Sequence, residues 1–230
     1  PTTRSTTAFI RGSRGLVPEA TGPTQDDLNA AGGNSDDWLY HTHDYSGRRY
    51  SELTDINADN VGQLAPVCMY AMGGAGSFQS GPIVRDGVMY VTTLRSTVAL
   101  DAATCQVQWR HEWEPQALQI PINNRGVAIL GETLYMSTLD AHLVAIDGRS
   151  GSLRWNQEVA DHRSGYSKTA APLIVKDRVV TGIAGGEYGI RGFLDAYDAD
   201  TGEREWRTYT IPGPDHPDNR TWAGDSWRTG

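Results

Sequence analysis

An all-β protein assembled from repeated four-stranded units is what this sequence predicts, and three observations carry that reading. Short runs of β-branched and aromatic residues alternate with turn signals from about residue 36 onward. Gly (26) and Pro (11) punctuate the 230 residues, and the aromatic set is 7 Trp and 10 Tyr with only 3 Phe, which suits a turn-rich β protein. A pattern of Ala, Asp, Thr or Ser, usually Gly, and Trp occurs three times.

The three copies are Ala99-Leu-Asp101-Ala-Ala-Thr104-Cys105-Gln-Val-Gln-Trp109, Ala145-Ile-Asp147-Gly-Arg-Ser150-Gly151-Ser-Leu-Arg-Trp155 and Ala196-Tyr-Asp198-Ala-Asp-Thr201-Gly202-Glu-Arg-Glu-Trp206. Their tryptophans are 46 and 51 residues apart. A period of about 40 to 50 residues with roughly four strands per period marks the blades of a β-propeller. Each residue type has a physical role. Asp caps the tight turn, Gly supplies the left-handed backbone, and Trp lies flat against the neighbouring blade.

The elements follow in order. Residues 1–35 are rich in Thr, Gly, Pro and Asp and read as an N-terminal arm, on the surface or partly disordered, with the propeller occupying 36–230. Asp55 to Leu64 is the one helix-like stretch, with Asn57 or Asp59 able to cap it. Asp86-Gly87 sits between two strand-like runs, which signals a two-residue hairpin, and Lys176-Asp177 takes the same place further on.

Charge and motifs remove several function classes. With 20 basic and 28 acidic side chains the net charge is −8, which argues against tracking a nucleic-acid backbone. No apolar run approaches the ~18 residues a membrane span needs. Pro1-Thr-Thr-Arg has no apolar leader, so an exported form would already have lost its signal. Cys68 and Cys105 are either two free thiols or one disulfide, the latter placing the protein outside the cytoplasm. The glycines of 182–192 do not form G-x-G-x-x-G, and H-E-x-x-H and G-x-S-x-G are absent. His41 and His43 alternate as on one strand face but lack further metal ligands, so they read as polar surface or core positions. Asp198 to Gly202 looks faintly like a calcium loop but is explained as the repeat's turn, and the sequon Asn219-Arg-Thr221 decides nothing.

The repeat resembles the tryptophan-docking unit of the quinoprotein propellers, most closely the large subunit of dehydrogenases that use pyrroloquinoline quinone (PQQ). Further segments share the likeness in the same order: Asp37-Trp38, Tyr50-Ser51-x-Leu53, Ile56 to Leu64, Gly182-Ile-Ala-Gly-Gly-Glu-Tyr-Gly-Ile-Arg-Gly192 and Thr221-Trp222-x-Gly224-Asp225-x-Trp227. The docking unit alone is weak evidence, because non-enzymatic propellers carry it too. The set in order is strong.

The resemblance assigns roles to particular residues. Glu187 would ligate the metal under PQQ, a hard Ca²⁺ or a lanthanide in its place, although spacing alone favours a solvated loop carboxylate. Ala184, Gly185 and Gly186 would line the cofactor with backbone. Arg125 would pair with a PQQ carboxylate through its guanidinium fork, the other reading being a surface arginine at a strand start. Thr169 would donate to a carboxylate, and Gln79 stands where many members have a glutamate. Methanol and ethanol dehydrogenases carry adjacent cysteines a few residues before the matching arginine. Gln119-Ile120 stands there instead, which points to a related branch with another substrate and leaves Ile120 as the flat apolar contact. Cys105 replaces the repeat's turn glycine, and a disulfide to Cys68 would compensate by tying the first strand to the next blade.

The implied protein is an alcohol or polyol dehydrogenase of the periplasm or cell exterior. It would transfer hydride to PQQ with a metal Lewis acid and pass electrons to a cytochrome c or a quinone. The family's propeller has eight blades, so this chain corresponds to about its first half, the remainder being in the same or a separate chain. The catalytic Asp base is expected beyond Gly230. The rival expectation is a non-catalytic propeller scaffold, such as an outer-membrane assembly lipoprotein, or more weakly a sugar-binding propeller.

Overall fold

The computed structural model describes residues 22–73, 77–116 and 123–228. Within them the chain forms three four-stranded antiparallel sheets, each built in simple sequence order. The first blade holds β1 (Ile83–Arg85), β2 (Val88–Thr92), β3 (Ser96–Asp101) and β4 (Val107–Glu112). The second holds β5 (Val127–Leu130), β6 (Thr133–Ser137), β7 (His142–Asp147) and β8 (Leu153–Glu158). The third holds β9 (Leu173–Val175), β10 (Arg178–Gly182), β11 (Phe193–Asp198) and β12 (Arg204–Tyr209). Asp86 and Gly87 both take positive φ (49° and 74°), as do Lys176 and Asp177 (51° and 60°), so both expected hairpins form with the strand-compatible twist.

Consecutive blades bury their faces against each other. Tyr90, Ala99 and Trp109 of the first share a core with Val127, Leu134, Met136, Val144 and Ile146 of the second. Ala128, Tyr135, Leu143 and Ala145 of the second share another with Ile174, Val179, Phe193 and Tyr197 of the third. Strands β3 and β7 are buried over their first five residues, whereas the outer β4 and β8 alternate or face solvent. This face-to-face stacking is propeller packing.

The docking turns behave as the repeat predicts. Asp147 Oδ1 accepts from the N–H of Arg149 and Ser150 (3.1 and 2.9 Å) and from the Ser150 hydroxyl. Gly151 turns at φ 73°, and a Cβ there would lie 2.6 Å from the Trp109 ring. The indole of Trp109 donates to the Gly148 carbonyl at 2.9 Å, so the second blade's turn receives the tryptophan of the first. Trp155 repeats this on Gly202 and donates to Ala199 at 3.2 Å. Trp206 is 41% exposed, with no following turn among the described residues.

Cys68 and Cys105 are joined by a disulfide, with Cα atoms 5.7 Å apart. It fastens the 66–72 segment to the β3–β4 turn, where Tyr70 and Met72 pack on Val91, Val98 and Leu100. Cys105 holds φ 57°, the backbone that its counterparts Gly151 and Gly202 adopt freely.

Two expectations change. Residues 22–35 are not a loose arm: helix α1 (Gln25–Ala30) forms behind a capping box of Thr24 and Asp27, and Leu28 and Ala31 enter the core of the second and third blades. Residues 1–21 lie outside the described residues. Asp55 to Leu64 is a run of turns ending in a 3₁₀ turn, Val61–Gln63. Its Asn57 and Asn60 side chains bond local backbone groups instead of letting a helix propagate, and Ile56, Val61 and Leu64 stay exposed. Among the described residues no helix is long and apolar enough to cross a membrane.

Candidate functional site

Gly81, Arg125 and Thr169 each lead into the first strand of their blade, at intervals of 44 residues. They are bonded in series. The Gly81 N–H donates to the Arg125 carbonyl at 3.1 Å, and the Arg125 N–H donates to the Thr169 carbonyl at 3.0 Å. The three blades therefore converge on one neck.

At this neck Arg125 Nη1 donates to Thr169 Oγ1 at 2.8 Å. Thr169 is buried and the arginine half-buried. No ion pair engages this guanidinium among the described residues. A partly desolvated guanidinium with spare donors and no acid beside it is a place for an anionic ligand. Asn124, which the sequence reading did not single out, fixes the arginine's backbone. Its Oδ1 accepts from the Gly126 N–H (2.9 Å) and the Thr92 hydroxyl (2.7 Å), and its Nδ2 donates to the Ser137 carbonyl (2.8 Å).

The glycine-rich segment leaves β10 and returns beside Thr169. Ala184 and Ser167 exchange backbone hydrogen bonds of 2.7 and 3.0 Å. Gly185 holds φ 124°, and any side chain there would collide with the Gly165 carbonyl. That requirement for glycine is met by the sequence. A 3₁₀ turn, Gly186–Tyr188, follows and displays Glu187 to solvent. A Cβ at Gly186 would meet nothing within 4 Å, so a ligand can approach its backbone. Among the described residues Glu187 makes no ion pair, and no group of three His, Cys, Asp or Glu able to bind a metal is present. A hard cation takes oxygen donors, and the exposed carboxylate of Glu187 is of that type. Gln79, exposed, lies two residues from Gly81 and donates to the Ser77 hydroxyl at 2.9 Å. Gln119 and Ile120 fall outside the described residues, as does Gly230.

Lys168 is a second residue that the sequence did not signal. It is 1% exposed, and its Nζ donates to the Thr181 hydroxyl at 2.7 Å and the Gly182 carbonyl at 3.0 Å. Burial pushes its pKa down to about 7, against the pull of the Asp195 charge, and Arg207 lowers it further. His41 and His43 lie in a stretch of turns and bends, not on a strand face. The His43 ring sits tilted against Trp38 with centroids 4.4 Å apart, while burial, Arg49 and Arg125 hold His41 below the usual imidazole range.

The donor set of Arg125 and Thr169 fits a tricarboxylate such as PQQ, and the open backbone at Gly186 leaves room beside it. Comparison with known proteins agrees. Residues 38–230 match the PQQ family model described as glucose/ethanol/alcohol dehydrogenase, β-propeller domain. The chain is 37% identical over 231 residues to quinohemoprotein alcohol dehydrogenase ADH IIB of Pseudomonas putida, covering 94% of this chain and 34% of that protein. It is 32% identical over 221 residues to a lanthanide-dependent methanol dehydrogenase of Methylacidiphilum fumariolicum, covering 84% and 36%. Among solved structures, a europium-containing methanol dehydrogenase superposes with a TM-score of 0.77 at 32% identity, over 83% of this chain and 34% of that one. The chain thus spans about a third of the length of the curated relatives it matches. With the blades, the docking turns and the family model in agreement, the chain belongs to the PQQ-dependent glucose/ethanol/alcohol dehydrogenase β-propeller family.

Proposed function

We propose that this chain is the cofactor-binding part of a quinoprotein that oxidises an alcohol or polyol to an aldehyde or ketone. The observation that carries the reading is the partly buried, acid-free guanidinium of Arg125 bonded to Thr169 at the propeller neck. PQQ, when bound, supplies a quinone that accepts hydride, and a metal ion beside it supplies Lewis acidity.

The chain's own residues do the holding. Arg125 binds a carboxylate through two spare N–H groups, and Thr169 offers its hydroxyl to the same anion. Ala184, Gly185 and Gly186 bring backbone close enough to pack on a flat ring. Glu187 gives one carboxylate oxygen to Ca²⁺ or to a lanthanide ion. Gln79 offers a neutral amide at the rim. A base that takes the alcohol proton is expected from residues beyond this segment, and so are the other metal ligands. Electrons would leave to a cytochrome c or a quinone, in the periplasm or outside the cell, where the Cys68–Cys105 disulfide is stable.

A scaffold propeller has no need of a neck guanidinium that, among the described residues, makes no ion pair. Incubating the intact protein with PQQ and Ca²⁺ or La³⁺, then following dye reduction with a panel of alcohols, tests the proposal. Alcohol-dependent reduction that requires both PQQ and metal is expected. A protein that folds yet reduces no dye with any alcohol would overturn it.

A further inference from the structure

The residue just before each neck position is polar in all three blades. These residues are Ser80, Asn124 and Lys168, again 44 apart. Each side chain turns back to the end of the second strand of its own blade. The Ser80 and Thr92 hydroxyls lie 2.9 Å apart. Asn124 donates to the Ser137 carbonyl at 2.8 Å, and Lys168 donates to the Gly182 carbonyl at 3.0 Å. Thr92, Ser137 and Gly182 are the last residues of β2, β6 and β10. The same pin thus recurs three times, joining a neck residue to the start of the loop between second and third strands.

The pin in the third blade differs in chemistry and in what it holds. The loops after Thr92 and Ser137 are 93–95 and 138–141, whereas the loop after Gly182 is 183–192 and carries Ala184 to Glu187. A short hydroxyl or amide suffices for the first two. The third uses a lysine buried to 1% exposure, an expensive way to make two hydrogen bonds. Its second acceptor, Thr181, pairs in register with Asp195, which is fully buried and clamped by Arg207 (2.6 and 2.7 Å) and Tyr197 (2.6 Å). The pin is therefore anchored on a rigid base.

Taking the PQQ reading as given, we propose that Lys168 is a positioning residue for the cofactor. It locks the Thr169 segment to the root of the glycine-rich loop, so that the carboxylate-binding pair and the Glu187 loop keep a fixed separation. Lys168 touches no ligand itself and acts through Thr169 and the loop.

The test is PQQ affinity, read by fluorescence titration of the intact protein with Ca²⁺ present, for wild type, Lys168→Met, Thr169→Val and the double variant. Lys168→Met keeps the length and removes the donors. We expect it to weaken PQQ binding about tenfold, or about 1.4 kcal/mol. The metal-free, PQQ-free protein should melt no lower than wild type, because a buried amine has been replaced by an apolar chain. In the Thr169→Val background the same change should cost less than threefold. Affinity within twofold of wild type would overturn the proposal. So would an equal loss with and without Thr169, which would mark a general packing effect. Should Lys168→Met fail to fold, Thr181→Val removes only the hydroxyl acceptor and should weaken PQQ three- to fivefold, with no change counting against the pin. A wild type that binds no PQQ would overturn the functional reading together with this one, and that control separates the two failures.

Discussion

Arg125 is bonded to Thr169 twice, by its backbone N–H to the carbonyl at 3.0 Å and by its guanidinium to the hydroxyl at 2.8 Å. The first bond belongs to the fold and the second to the site. They can be separated. Arg125→Lys keeps the backbone bond and the charge but loses the planar fork. Losing charge-assisted hydrogen bonds costs about 1.5–3 kcal/mol, so PQQ affinity should fall roughly 10- to 150-fold. The melting temperature should barely move. Binding within twofold of wild type, measured by PQQ fluorescence titration, would remove Arg125 from the site.

Cys105 combines two effects that substitution can pull apart. Its φ of 57° strains any residue with a Cβ, and its sulfur closes a loop of 37 residues to Cys68. A loop of that size is worth about 4 kcal/mol on the chain-entropy model. Breaking it by Cys105→Ala leaves the strain, while Cys105→Gly relieves it. Both variants should unfold at lower urea than wild type, with the glycine variant about 1 kcal/mol more stable than the alanine one. Equal stabilities would contradict the strain argument.

Gly151→Ala tests the docking turn. The new Cβ would meet the Trp109 ring at 2.6 Å while the backbone sits at φ 73°. Strain and overpacking together should destabilise by more than about 2 kcal/mol. Equilibrium urea unfolding reads this directly, and a loss below about 0.5 kcal/mol would mean that the indole does not press on this turn.

The pH dependence of stability should carry a mark of Lys168. Its pKa is near 7 when folded and near the ordinary 10.5 when unfolded, burial being the main cause. Between those values the unfolded chain binds more protons, so stability rises with pH. Below about pH 7 both states are protonated and the penalty is constant. Urea midpoints of wild type should therefore climb toward those of Lys168→Met between pH 7 and 9. A constant gap across that range would place the folded pKa elsewhere.

The blades were legible because their signals are local. Asp147, Ser150, Gly151 and Trp155 lie within nine residues, and each does in the fold what its chemistry suggests in the chain. Hairpins Asp86-Gly87 and Lys176-Asp177 were readable for the same reason. The capping box at Thr24 and Asp27 is equally local, but the disordered-looking composition around it masks the signal. Asn57 does the reverse, looking like a helix cap while its side chain satisfies a local turn by accepting from the Asp59 N–H. At the site, the resemblance is what marks Arg125, Thr169 and Glu187, since a 44-residue interval between Arg125 and Thr169 names no ligand. Lys168 and Asn124 stayed hidden because their roles depend on which strand end lies opposite, and only the assembled blade shows that. The 44-residue interval of the pins was present in the sequence, but polar residues at a fixed spacing announce no contact by themselves.

If this neck holds PQQ together with a metal ion that Glu187 helps to bind, metal and cofactor should bind as a pair. Glu187 is exposed and makes no ion pair among the described residues, so Glu187→Gln should leave stability within about 0.5 kcal/mol. The decisive measurement is PQQ affinity of the intact protein, with Ca²⁺ or La³⁺ and after chelation, in wild type and in Glu187→Gln. Metal should tighten PQQ binding to wild type by at least tenfold and to the variant by less than twofold. Equal metal enhancement in both proteins, or no PQQ binding to a folded wild type, would contradict this pairing.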